Sequence, residues 1–139
     1  MKSALEIILR TIHLGDARQV VTLGIDGKDF ARDFLLDLLK HDRNRFESIR
    51  TRIRAISNHP HYENKLTFRH VGEGVFEFKR PGIRLYAFYD EIDDHRALIL
   101  CINGGLKGKG QSKDIRHAQS LKSVYFQAKS RSDTVLKIE

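Results

Sequence analysis

Basic side chains are spaced through residues 75–110 in a pattern that suits contact with phosphate. VFEFK, the turn Arg80-Pro81-Gly82 and IRLYAFY place Lys79, Arg80 and Arg84 on two strand-like runs. RALILCI then empties into NGGLKGKG, which carries Lys107 and Lys109. A sheet presenting arginine and lysine beside a glycine-rich cationic loop can converge amides and cations on one anion. Gly105-Leu106-Lys107-Gly108-Lys109-Gly110 has the four-residue gap of a P-loop, but Gln111 stands where the phosphate-gripping lysine belongs. The strand before it also sits in an antiparallel context, so nucleotide hydrolysis is set aside. A flexible solvated loop is the competing reading of the same residues.

Other chemistries find less support. His59-Pro60-His61 is the one close histidine pair, with no carboxylate or cysteine at ligand spacing, and reads as a polar turn. Asp90, Glu91, Asp93 and Asp94 lack the interleaved glycine and the distant bidentate glutamate of a calcium loop, so no metal and no cofactor is expected. Arg43, Arg45, Arg50, Arg52 and Arg54 decorate a helix away from its apolar side and read as a solvated face. The single cysteine, Cys101, lies in an apolar run and excludes both a disulfide framework and a thiolate zinc site. The formal net charge is +7. Residues 103–131 hold seven basic side chains, Lys113 and Arg116 among them, against Asp114 alone, so most of the excess lies in the last third. Such asymmetry points to an anionic partner: nucleic acid, an acidic protein or a membrane surface. No stretch approaches spanning length and no cleavage site follows the apolar N-terminal residues, so a cytoplasmic protein is expected.

The chain of 139 residues suits one domain, 1–139, with residues 130–139 expected as a mobile tail. Leu14-Gly15-Asp16 separates two runs rich in aliphatic and β-branched residues, predicting a leading β-hairpin. Phe30, Phe34, Leu35 and Leu38 mark one helix, and Phe46, Ile49, Ile53 and Ile56 a second that ends before Pro60. Two consecutive helices predict a helical hairpin. The strand from Ile83, apolar on both faces, should be central and covered by helices on one side. A last helix is expected from Ser112 as its cap, with Ile115, Ala118, Leu121 and Tyr125 on one face.

Asp26-Gly27-Lys28, Phe34-Leu35-Leu36-Asp37-Leu38, Val75-Phe76-Glu77-Phe78-Lys79, Gly82-Ile83-Arg84-Leu85-Tyr86, the lysine loop and Asp114-Ile115-Arg116-His117-Ala118 occur in an order that resembles the RelE superfamily of toxins from bacterial toxin–antitoxin pairs. The likeness is nearest to the HigB-like, phage-derived branch, in which a glutamate at the position of Glu77 is a feature, and it runs from about Arg18 to Phe126. It implies an α+β fold: a small twisted antiparallel sheet packed against an N-terminal helical hairpin, plus a C-terminal helix. It further implies metal-independent, ribosome-dependent cleavage of messenger RNA. In that scheme Arg84, Lys107 and Lys109 are the catalytic set, and Lys79, Arg80, Lys113, Arg116 and Tyr125 bind RNA, the tyrosine by stacking on a base. The implied partners are an antitoxin of helix-turn-helix type, the ribosome and its mRNA, with no membrane. Two other classes stay open: a non-catalytic ParE-like toxin that binds a protein such as gyrase, and a basic nucleic-acid-binding module.

Overall fold

A computed structural model describes residues 5–59, 68–92, 96–108 and 110–139. Ten elements follow in the order β1 (Glu6–Leu14), β2 (Gln19–Ile25), α1 (Phe30–His41), α2 (Arg43–Asn58), β3 (Phe68–Gly72), β4 (Val75–Arg80), β5 (Ile83–Ile92), β6 (Arg96–Leu106), α3 (Gln111–Lys129) and β7 (Val135–Ile138). The strands form one seven-stranded sheet in the order β3-β4-β5-β6-β2-β1-β7.

This corrects the expected fold class. The sheet is mixed: β1–β2 and the β3–β4–β5–β6 meander are antiparallel, whereas β2 pairs parallel with β6 and β1 parallel with β7. The helices form no N-terminal hairpin, because two strands precede them and lie near the middle and far side of the sheet. The segment expected as a mobile tail carries β7, whose partner is β1. The leading β-hairpin forms over the two runs that predicted it.

Local chemistry accounts for the helices. Asp29 caps α1 by accepting the Arg32 amide at 3.0 Å, and Asp42 caps α2 through the Arg45 amide at 3.3 Å. Asp42 also ends α1, donating its own amide to the Leu38 carbonyl, so one extended residue separates the two helices. α3 begins two residues earlier than a Ser112 cap implies, behind Gly110 in the left-handed conformation, with no side-chain cap.

Two apolar layers sandwich the sheet. α1 and α2 bury Leu35, Leu38, Ile49, Ile53 and Ile56 against Val20, Phe78, Ile83, Leu85, Ile99 and Cys101. α3 buries Ala118, Tyr125 and Ala128 against the other face, on Leu9, Val21, Tyr86, Phe88 and Leu100. β5 is central, as its two apolar faces predict, and is covered on both sides rather than one.

Candidate nucleic-acid interface

The strands β4, β5 and β6 converge on the start of α3 at one end of the sheet. Strand register sets Arg69 opposite Glu77, Glu77 opposite Tyr86, and Tyr86 opposite Asn103. The next row runs Lys79, Arg84, Gly105. On β4, Val75 belongs to the α3 layer, so Glu77 and Lys79 follow it onto the same face by the two-residue strand period. Tyr86 and Phe88 put Arg84 there in the same way. β6 would carry Asn103 to the opposite face, following Cys101, but the register slips by one residue between Tyr86 and Ala87. That bulge, at Ile102, turns Asn103 toward α3, where its Nδ2 donates to the Asp114 carbonyl at 3.1 Å.

Glu77 is fully buried, Arg84 is 3% exposed and Asn103 4% exposed. Glu77 Oε1 accepts from Arg69 Nε at 2.7 Å and stands 3.8 Å from Arg84 Nε. One arm of the Arg84 guanidinium donates to the carbonyls of Ile83 at 2.7 Å and Arg80 at 2.9 Å, which stitches down the β4–β5 turn. Four buried polar atoms of this cluster have no hydrogen-bond partner among the described residues: Glu77 Oε2, Arg84 Nε, Tyr86 Oη and Asn103 Oδ1. Each such group costs about 1–3 kcal/mol, so a protein that concentrates four under one helix start marks that place out from ordinary core. Burial, and then the nearby carboxylates of Glu77 and Asp114, push the Tyr86 phenol up to about 12, against the pull of Arg84 and Arg69. Burial also lifts the Asp114 carboxyl above its usual range, partly offset by His117 and Lys113.

Two successive glycines let the helices close on this corner. A side chain at Gly105 would collide with the Asp114 carboxylate, and one at Gly104 with the Phe34 ring of α1. β6 thus accepts α3 on one face and α1 on the other within two residues.

Around the buried cluster lies a cationic rim. Lys107 is exposed, and its backbone amide donates to the Gly82 carbonyl at 3.0 Å, tying the loop after β6 to the β4–β5 turn. Lys113 and Arg116 are exposed on the first turns of α3. Lys79 is half-buried, and so is Arg80, whose Nε donates to Ser48 Oγ at 2.6 Å. Arg45, held by Asp42 at 3.2 Å, packs against Gly82.

Of the expected site residues, the fold brings Lys79, Arg80, Lys107, Lys113 and Arg116 to this end of the sheet and leaves them facing solvent wholly or in part. Lys109 lies outside the described residues, as do Pro60, His61, Asp93 and Asp94. Two of the expected site residues lie in the interior. Arg84 is buried beneath the rim, so its guanidinium serves carbonyls and Glu77 rather than a surface phosphate. Tyr125 is fully buried near the far end of α3, with its hydroxyl donating to Asp90 Oδ2 at 2.6 Å, and presents no face for a base. Asp90, read as part of a turn, is the C-terminal part of β5 and also pairs with Lys129 at 2.6 Å.

Sequence reasoning missed Tyr86, Asn103 and Asp114 as members of the cluster, and Glu77 as its buried centre. One signal was present: Glu77 interrupts an apolar strand two residues after Val75, a charge on a core face. Among the described residues no three His, Cys, Asp or Glu stand close enough to hold a metal ion, and no helix is long and apolar enough to cross a membrane. No protein-family model, no curated protein and no solved structure matches this chain.

Proposed function

We propose that this protein binds RNA along the cationic rim and acts as the toxin of a toxin–antitoxin pair, cleaving messenger RNA on the ribosome. The observation that carries the reading is the gathering of Lys79, Arg80, Lys107, Lys113 and Arg116 from three separate stretches of chain at one end of the sheet. Cleavage by attack of the 2′-hydroxyl needs a proton acceptor, a proton donor and positive charge beside the developing phosphorane. Lys107 and Lys113 are placed to supply charge. Asp114, half-buried on the first turn of α3 beside Lys113, can exchange a proton at the surface, whereas Glu77 and Tyr86 are fully buried beneath the rim, and Arg84 is a positioning residue that holds Glu77 and the β4–β5 turn. The metal-independent chemistry, the antitoxin partner and a cytoplasmic location where mRNA is translated belong to the same proposal.

Adding the protein to a translating extract and mapping new mRNA ends by primer extension tests it. Cuts within codons that vanish when ribosomes are withheld support the reading, and intact mRNA overturns cleavage. The burial of Arg84 favours a second reading, a rim that binds without cutting. Salt-dependent RNA affinity in the absence of new ends would establish that alternative, and inhibition of gyrase supercoiling would point instead to the ParE-like mode.

A further inference from the structure

On the opposite face of the sheet, α1 and α2 diverge from Asp42 and leave a cavity of about 450 Å³ between them, floored by the end of β1. Its walls are apolar, with Leu35 and Leu39 from α1 and Phe46, Ile49 and Ile53 from α2. Four arginines line it as well, Arg10, Arg32, Arg50 and Arg54, all but Arg10 exposed. Two of these are engaged, Arg10 with Asp29 at 3.5 Å and Glu139 at 3.8 Å, and Arg50 with Glu47 at 3.2 Å. The guanidiniums of Arg32 and Arg54, one on each helix, have no ion-pair partner among the described residues.

We infer that this cavity is a binding site for a small amphipathic organic anion, its apolar body between α1 and α2 and its carboxylate or phosphate head held by Arg32 and Arg54. Charge and size both select this occupant. A planar guanidinium presents paired donors that match a carboxylate or phosphate, and two of them over an apolar well leave a neutral hydrocarbon without a reason to prefer the site. The volume lies in the range of small-molecule sites, whereas a docked helix needs a trough running along its length. None of the rim's cations lines the well, so the inference stands apart from the RNA reading even though α2 carries both the well's Phe46, Ile49 and Ile53 and the rim's Arg45.

Calorimetric titration of the full chain with dodecanoate, below its micellar range, tests the site. One-to-one binding is expected, weakened about tenfold or more for dodecanol, which lacks the charge, and by a similar factor in the double variant Arg32→Gln/Arg54→Gln. Both arginines are exposed, so that variant should keep the thermal midpoint of the parent. Leu39→Trp, which fills the well, should abolish binding. Equal affinity for dodecanol, unchanged affinity in the double variant, or no saturable binding would each overturn the inference. So would binding confined to an acidic helical peptide or to phosphatidylglycerol vesicles, because neither is a small anion enclosed between the helices.

Discussion

Glu77 and Arg84 stand diagonally across neighbouring strands, Oε1 to Nε 3.8 Å, with the carboxylate fully buried and the guanidinium 3% exposed. Arg69 completes the arrangement from the sheet edge, so one buried carboxylate is flanked by two cations. Removing it strands Arg84 in the interior. Glu77→Gln keeps the shape and should lower stability by on the order of 3 kcal/mol, the usual cost of breaking a buried ion pair from one side. Urea unfolding followed by circular dichroism measures it, and an unchanged midpoint would show that the backbone carbonyls alone satisfy Arg84.

The rim should reveal itself through salt. On single-stranded RNA each neutralised phosphate contributes about 0.7 to the slope of log affinity against log salt. Lys107→Ala with Lys113→Ala should therefore flatten that slope by about 1.4 without shifting the unfolding midpoint, since both side chains are exposed. A slope that stays as steep would place the RNA elsewhere.

Tyr125→Phe separates structure from recognition. The hydroxyl gives up its bond to Asp90, so stability should fall by about 1 kcal/mol, while RNA affinity holds. Loss of affinity in the folded variant would return the tyrosine to the interface.

The two glycines of β6 should respond unequally. At Gly105 the obstacle is the end of the Asp114 side chain, which can rotate away, whereas at Gly104 it is the Phe34 ring packed into the α1 layer. Gly104→Ala should cost about 2 kcal/mol or more in thermal or chemical unfolding, and Gly105→Ala distinctly less.

Alkaline pH should loosen the α3 layer. Burial raises Tyr86 to about 12 from 10.0, and burial with the bond to Asp90 raises Tyr125 as well. The folded chain thus keeps these protons after the unfolded chain has released them. Stability is fully present below pH 10 and is lost as pH climbs toward 12. Unfolding midpoints across that window should fall more gently for Tyr86→Phe than for the parent, with the part of the tyrosinate absorbance that comes from Tyr86 and Tyr125 appearing only as the chain unfolds.

The helices and strands were largely legible in the residues. Phe30, Leu35 and Leu38, then Phe46, Ile49, Ile53 and Ile56, announce α1 and α2, and Asp29 and Asp42 sit where caps belong. The two-sided apolar run of β5 announces a central strand, and the flanking turns announce its partners. Of the site, the rim lysines and arginines were visible as a charge excess beside a glycine loop, because charge and glycine content need no partner to be read.

What only the tertiary structure decided was which strands meet and which way their residues face. The parallel pairing of β2 with β6 joins residues nearly eighty positions apart, and β7 finds β1 from the other end of the chain. No local periodicity encodes either contact. Arg84 and Lys79 look alike in sequence, yet Arg84 lies on the central strand beneath α3 and Lys79 nearer the edge, so one is buried and the other reaches solvent. The one-residue bulge at Ile102 then swings Asn103 from one layer to the other. Local patterning determines the elements because each residue's preference is set within a few positions. Register and burial are set by long-range packing, where a slip of one residue reverses every face that follows.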